Sequence, residues 1–248
     1  MSRPGSYLTP SFEGAVAFAR DLIRIPSLSG DEQALADRVI AEMSALGYAD
    51  VRHDPAGNVI GRIPGRAPDQ VPAVMLSCHL DMVAVGDEDE WAVPPLAGEV
   101  IDGVLHGRGA MDIKGPLALQ THAAAALAGQ LDGDLIVAHT AYEERGGMGM
   151  RLLLESGEVR PGAVIIGEAT GGDLCVGHRG RAEVEVVLRG RAGHASAPER
   201  ALNALDLLPA ALAAVQRLSG QQPGDEVLGS ASLVTTDVSV RPETRNVI

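Results

Sequence analysis

Four short segments of this 248-residue chain carry the side chains that could do chemistry together. The first is Cys78-His79-Leu80-Asp81, at the end of an apolar run. Residues two apart on a strand face the same way, so His79 and Asp81 can be neighbours. A metal-bound imidazole usually gives its other ring N–H to a carboxylate, and this spacing supplies that pair. The second is Gly107-Arg108-Gly109-Ala110-Met111-Asp112-Ile113-Lys114-Gly115, directly before a helical pattern. Its glycines fit neither the phosphate-loop nor the dinucleotide-binding spacing. The third is Tyr142-Glu143-Glu144-Arg145-Gly146-Gly147-Met148-Gly149, and the fourth is Gly167-Glu168-Ala169-Thr170.

Each segment has an ordinary reading by itself. A histidine near a strand end is commonly structural, and an aspartate at a helix start is commonly a cap. A pair of glutamates is commonly a solvated turn. The set points elsewhere. Adjacent carboxylates at the end of a buried strand are costly unless a cation or a proton compensates them. Consecutive residues diverge in direction, so one of Glu143 and Glu144 can bind a metal while the other faces the attacking water. One histidine with several carboxylates suits zinc, cobalt or manganese. So many carboxylates imply two ions, about 3.5–4 Å apart in sites where an aspartate bridges them.

The elements around these segments place them at one edge of a sheet. Phe12, Val16, Ala19, Leu22 and Ile23 recur at helical spacing, and Pro26 closes that helix. A second helix follows a cap at Ser29 or Gly30, with Leu35, Val39, Met43 and Leu46 on one face and Gly47 ending it. Val51–His53 and Asn58–Ile63 read as short strands about a Pro-Ala-Gly turn. Val71–Cys78, Leu135–Ala138 and Ala163–Ile166 are continuous apolar runs, as in strands buried on both faces. Helical stretches at Ile113–Ala128 and Met148–Glu155 lie between them. Alternating strand and helix indicates an α/β sheet that is at least partly parallel, and ligands bind such sheets at the carboxyl ends of the strands.

The pattern changes after Gly177. Arg181–Leu188 alternates polar and apolar residues, a helix follows over Ala201–Leu218, and Ser232–Val240 alternates again. The expected division is a metal-binding catalytic domain over residues 1–176 and the first half of a smaller α+β domain over residues 177–248.

Composition narrows the function further. Hydrophobic residues make up 46% and aromatics 2%, so the core must be built from Ala, Val, Leu and Ile. The net charge of −13 argues against nucleic acid, whose phosphates want clustered Lys and Arg. The longest apolar stretches, such as Ala123–Ala128, fall far short of the roughly 18 residues of a membrane span. Met1–Pro10 lacks a basic region followed by an apolar one, so no signal peptide is expected. Cys78 and Cys175 lie far apart and form no ligand pair, which suits a reduced, cytoplasmic setting.

Taken in order, His79-Leu80-Asp81-Met82-Val83, Trp91 with Pro94-Pro95, Gly107-Arg108-Gly109 with Asp112-Ile113-Lys114-Gly115, Glu143-Glu144 with Gly146-Gly147-Met148-Gly149, and Gly167-Glu168-Ala169-Thr170 resemble the M20 family. That family includes acetylornithine deacetylase and succinyl-diaminopimelate desuccinylase. The resemblance implies a mostly parallel, zinc-exopeptidase-like catalytic domain that cleaves the amide bond of a small N-acyl amino acid or dipeptide. It implies two divalent ions, zinc or alternatively cobalt or manganese. His79 and Glu168 would hold one, Asp112 would bridge, and Glu144 would hold the second. Asp81 would orient His79, and Glu143 would be the general base. Gly193-His194-Ala195-Ser196 with Pro198 resembles the family's lid motif, whose histidine reaches an active site and stabilises an oxyanion. Asn246 resembles its substrate-carboxylate asparagine, and a homodimer through the lid is implied.

Two substitutions leave the ligand set intact: Tyr142 stands where an aspartate is common, and Ala169 where a proline is usual. Family members continue beyond the match, and a late histidine that ligates the second metal has no counterpart here. His53, His106, His122, His139 and His178 lie outside the ligand motifs and read as surface or structural residues. The competing expectation is therefore a truncated, catalytically inactive relative that binds a ligand or partner without turnover.

Overall fold

The computed structural model describes residues 9–240. The chain divides into two compact units, Met1–Asp173 and Leu174–Ile248.

The first unit is an α/β layer structure on a five-stranded sheet of order β1-β2-β6-β3-β7. Its strands are β1 (Ala49–His53), β2 (Val59–Ile63), β3 (Val74–His79), β6 (Leu135–Thr140) and β7 (Ala163–Ile166). β4 (Glu99–Ile101) and β5 (Val104–His106) form a separate hairpin. β3 pairs in parallel with both β6 and β7, while β2 is antiparallel to β1 and to β6. Four of the five strands therefore run the same way.

Side-chain alternation sends successive residues of each strand into different layers. Val59, Val137 and Cys78 join the main core with Phe18 and Leu22 of α1 (Phe12–Arg24), Leu35, Val39 and Met43 of α2 (Gln33–Ala45), and Leu117 of α3 (Gly115–Ala126). Their neighbours Ile60, Ala138 and Met75 pack on the opposite face with Leu153 of α4 (Met148–Ser156). β7 is an edge strand whose four residues are all exposed.

Two helix details differ from the sequence reading. In α1 the buried stripe is Ala15, Phe18, Ala19, Leu22 and Ile23, while Phe12 lies outside it. The reason is the cap: the Ser11 hydroxyl accepts the Gly14 N–H, so Phe12 opens the helix in its exposed first turn. The N-cap of α2 is Glu32, not Ser29 or Gly30, because the Ser29 hydroxyl is bonded elsewhere.

The second unit contains α5 (Leu208–Ser219) and a two-residue-per-strand hairpin, β8 (Gly224–Asp225) with β9 (Gly229–Ser230). The alternating segments Arg181–Leu188 and Ser232–Val240 are not strands. A strand exists only where a ladder partner meets its backbone groups, and neither segment has one among the described residues.

Candidate metal centre

Parallel pairing puts the carboxyl ends of β3, β6 and β7 at the same sheet edge. His79 is the last residue of β3, the Glu143–Glu144 loop follows β6, and Glu168 lies two residues beyond the end of β7. Asp112 comes from the irregular turn Ala110–Lys114 that leads into α3, and its peptide bond to Ile113 is cis. Lys114 anchors that turn. It is fully buried, and its Nζ donates to the carbonyl of Ile25 at 2.7 Å. Burial pulls its pKa down to about 8.

One ligand atom each from His79, Asp112 and Glu144 lies within 4.8 Å of the others. His79 Nε2 is 3.0 Å from Asp112 Oδ1, and His79 Nδ1 donates to the Asp81 carbonyl oxygen at 2.9 Å. Burial alone would lower the His79 pKa, but the Asp81, Glu143 and Asp112 carboxylates outweigh it and raise the value to about 9. Burial raises the Glu144 pKa, with the Asp112 charge adding to it and His79 opposing. Glu168 is raised by burial, with His79 opposing and Asp112, Glu143 and Glu144 adding. These carboxylates crowd one another around one imidazole, and a divalent cation relieves that crowding. The N and O donors fit zinc, cobalt or manganese, and Nδ1 engaged on Asp81 leaves Nε2 as the atom that could ligate.

Asp81 does more than orient His79. Its carboxylate is fully buried and accepts the Ser29 hydroxyl at 2.6 Å and the backbone N–H groups of Glu143 and Glu144 at 3.0 Å each. Burial would raise the Asp81 pKa, but donation from His79, Ser29 and the two backbone amides lowers it. The carboxylate thus ties the loop carrying the acid pair to the strand carrying the histidine. Tyr142 turns the chain toward it from a left-handed φ of 56°, and Glu32 Oε1 accepts the Tyr142 N–H at 3.1 Å. Ser29, Glu32 and Lys114 are functional neighbours that the sequence reading missed. Ser29 was visible only as a capping type and Lys114 only as a member of the Asp112 motif, and nothing local marked Glu32.

Comparisons with known proteins identify the family. Residues 75–241 match the profile of peptidase family M20/M25/M40. This chain belongs to that family. The M20 chain is 33% identical over 225 residues to the uncharacterized protein YgeY of Escherichia coli K12, covering 89% of this chain and 55% of YgeY. It is 32% identical over 252 residues to a succinyl-diaminopimelate desuccinylase of Rhodospirillum centenum, covering 94% of this chain and 64% of that protein. It therefore spans less than two thirds of the length of either relative. An M20 family metallo-carboxypeptidase from Sulfolobus solfataricus shares the fold, with a TM-score of 0.55 and 20% identity over 62% of this chain and 37% of the other.

The remaining expected site residues of this M20 chain lie as follows. Glu143 is exposed, with Oε2 4.0 Å from His79 Nε2. Glu168 does not join the group of His79, Asp112 and Glu144 at ligand spacing, although their charges act on it. His194 is exposed in the second unit, where its Nδ1 accepts the Ser196 hydroxyl at 2.8 Å. Asn246 lies outside the described residues. His139 and His122 are buried, bonded to Thr121 and Glu42, and belong to no metal-spaced group. Cys78 and Cys175 are both free. Among the described residues, no helix is long and apolar enough to cross a membrane.

Proposed function

We propose that this chain is the metal-binding part of a hydrolase that cleaves the amide bond of a small N-acyl amino acid or dipeptide. The observation that carries the reading is the convergence of His79, Asp112 and Glu144 within 4.8 Å, beside the exposed carboxylate of Glu143. The desuccinylase relative supports an acylated amino acid as the substrate class.

In this reading His79 and Glu168 would hold one divalent ion and Glu144 a second, with Asp112 shared between them; zinc would be the first choice, with cobalt or manganese as alternatives. Bound ions of this kind polarise a carbonyl and make water more acidic. The chain's own residues do the rest. Asp81 keeps the His79 ring in one tautomer and holds the backbone of the acid pair. Glu143, not engaged as a ligand, takes a proton from water as its oxygen adds to the carbonyl carbon. It then delivers that proton to the nitrogen as the C–N bond breaks. His194 and Asn246 serve substrate binding, with His194 acting in a homodimer formed through the second unit. A cytoplasmic setting completes the reading. The intact Glu143 supports turnover over a binding-only relative, which has no chemical need for a base.

The test uses a panel of N-succinyl and N-acetyl amino acids and dipeptides, with the metal content of each preparation measured alongside. Glu143→Gln should lower kcat by about 10²–10⁴ with unchanged metal content. A variant within about tenfold of the parent would remove Glu143 from the role of base.

A further inference from the structure

We propose that Asn58 is a positioning residue for the acid pair: its buried amide closes the neck of the loop that carries Glu143 and Glu144. The inference rests on the reading of Glu144 as a metal ligand.

Asn58 precedes β2 and is fully buried. Its Oδ1 accepts the Ala141 N–H at 2.9 Å, and its Nδ2 donates to the Gly149 carbonyl at 3.0 Å. Ala141 and Gly149 are the two ends of the loop over residues 142–148, and the Gly149 N–H donates to the Ala141 carbonyl at 3.1 Å. The amide thus supplies the partners that the ladder no longer provides, since β6 ends at Thr140. Asp54 fixes which way the amide points. Its Oδ2 accepts from Asn58 Nδ2 at 2.7 Å, while its Oδ1 accepts the N–H groups of Ala56 and Asn58 at 2.9 Å. The neck leaves no spare room: a Cβ on Gly149 would collide with the Ala141 carbonyl and Asn58 Oδ1.

The loop is therefore held at two places. Asp81 holds the backbone of the acids, and Asn58 holds the ends. With the neck released, Glu144 keeps its chemistry but loses a fixed position relative to His79 and Asp112. Changes to groups that orient a metal ligand typically lower metal affinity by about 10–100-fold.

The test is titration with Co²⁺ alone, followed by its visible absorption, together with amide hydrogen exchange. Asn58→Asp keeps the shape and the acceptor but removes the donor to Gly149 and to Asp54, and it sets a second carboxylate beside Asp54. Asn58→Ala removes both. Each should weaken Co²⁺ binding by about tenfold or more, change its absorption band, and speed exchange at Glu144 and Gly149 while Met75 and Val137 stay protected. Val159→Ala, in the small cluster on the sheet's other face, serves as a stability control and should leave the Co²⁺ band unchanged. Binding and spectrum equal to the parent in both Asn58 variants would overturn the proposal, and so would the same loss in Val159→Ala. If the parent itself takes up no Co²⁺, the metal reading fails. The neck is then judged by exchange alone, and unchanged protection at Glu144 and Gly149 in Asn58→Asp overturns it.

Discussion

Helices α3 and α5 are both 12 residues long, both rich in alanine and leucine, and both begin with proline in the first turn. α3 buries Leu117, Ala118, Thr121, His122, Ala124 and Ala125, whereas α5 buries none of its residues. The same contrast separates the two units. Every buried residue among those described lies in the first, and the described residues of the second include none. Helix propensity and an apolar stripe are enough to form a helix, but burial depends on what packs against it. β6 and Arg181–Leu188 repeat the lesson for strands. β6 is paired on both sides, while Val184, Val186 and Val187 stand exposed on unpaired backbone. A metal site that must hold carboxylates close together belongs where packing resists their repulsion, and the first unit has that packing.

Hydrogen exchange should show the largest difference between the units. Amides of Met75 and Val137 open only with the core, so they should exchange on the order of 10³-fold more slowly than those of Glu185 and Val186. Comparable rates would dissolve the contrast.

A second experiment asks whether the site depends on the first unit's core. Asp81→Ala leaves the Ser29 hydroxyl and the Glu143 and Glu144 N–H groups without their acceptor. It should cost about 1–3 kcal/mol in urea denaturation, because these donors are part-buried and water can meet some of them. A loss below about 1 kcal/mol would mean that the loop finds other partners.

The smallest effect is a pH dependence confined to the first unit. Burial lowers the His139 pKa from 6.5 to about 3, so the folded state keeps this imidazole neutral. The unfolded chain takes up the proton first. The His139 contribution to stability is therefore complete above pH 6.5, falls as the pH drops below it, and levels off near pH 3. At pH 5 the loss should be about 2 kcal/mol. His139→Leu should flatten this slope. Equal slopes in the parent and His139→Leu would refute the assignment.

Much of the architecture was legible from local pattern. The apolar runs ending at Cys78, Ala138 and Ile166 became β3, β6 and β7 within about three residues, although β7 is an exposed edge and not buried on both faces, and Leu35, Val39 and Met43 form the buried face of α2 as their spacing required. Turn residues and periodicity report on nearby chain, and these features depend on nearby chain. Residue types and short motifs also singled out His79, Asp112 and Glu144, whose ligand atoms the fold brings within 4.8 Å of one another. What needed the tertiary structure was every decision made between distant residues. Asp81 meets Ser29 across 52 positions and the Glu143 amide across 62, and Asn58 reaches Ala141 across 83. Glu168 does not come within ligand spacing of His79, Asp112 and Glu144, and this too depends on how β7 sits beside β3. Arg181–Leu188 has a strand's alternation without a strand's partner. Alternation records which side chains could share a face, and hydrogen bonds to another segment decide whether there is a sheet.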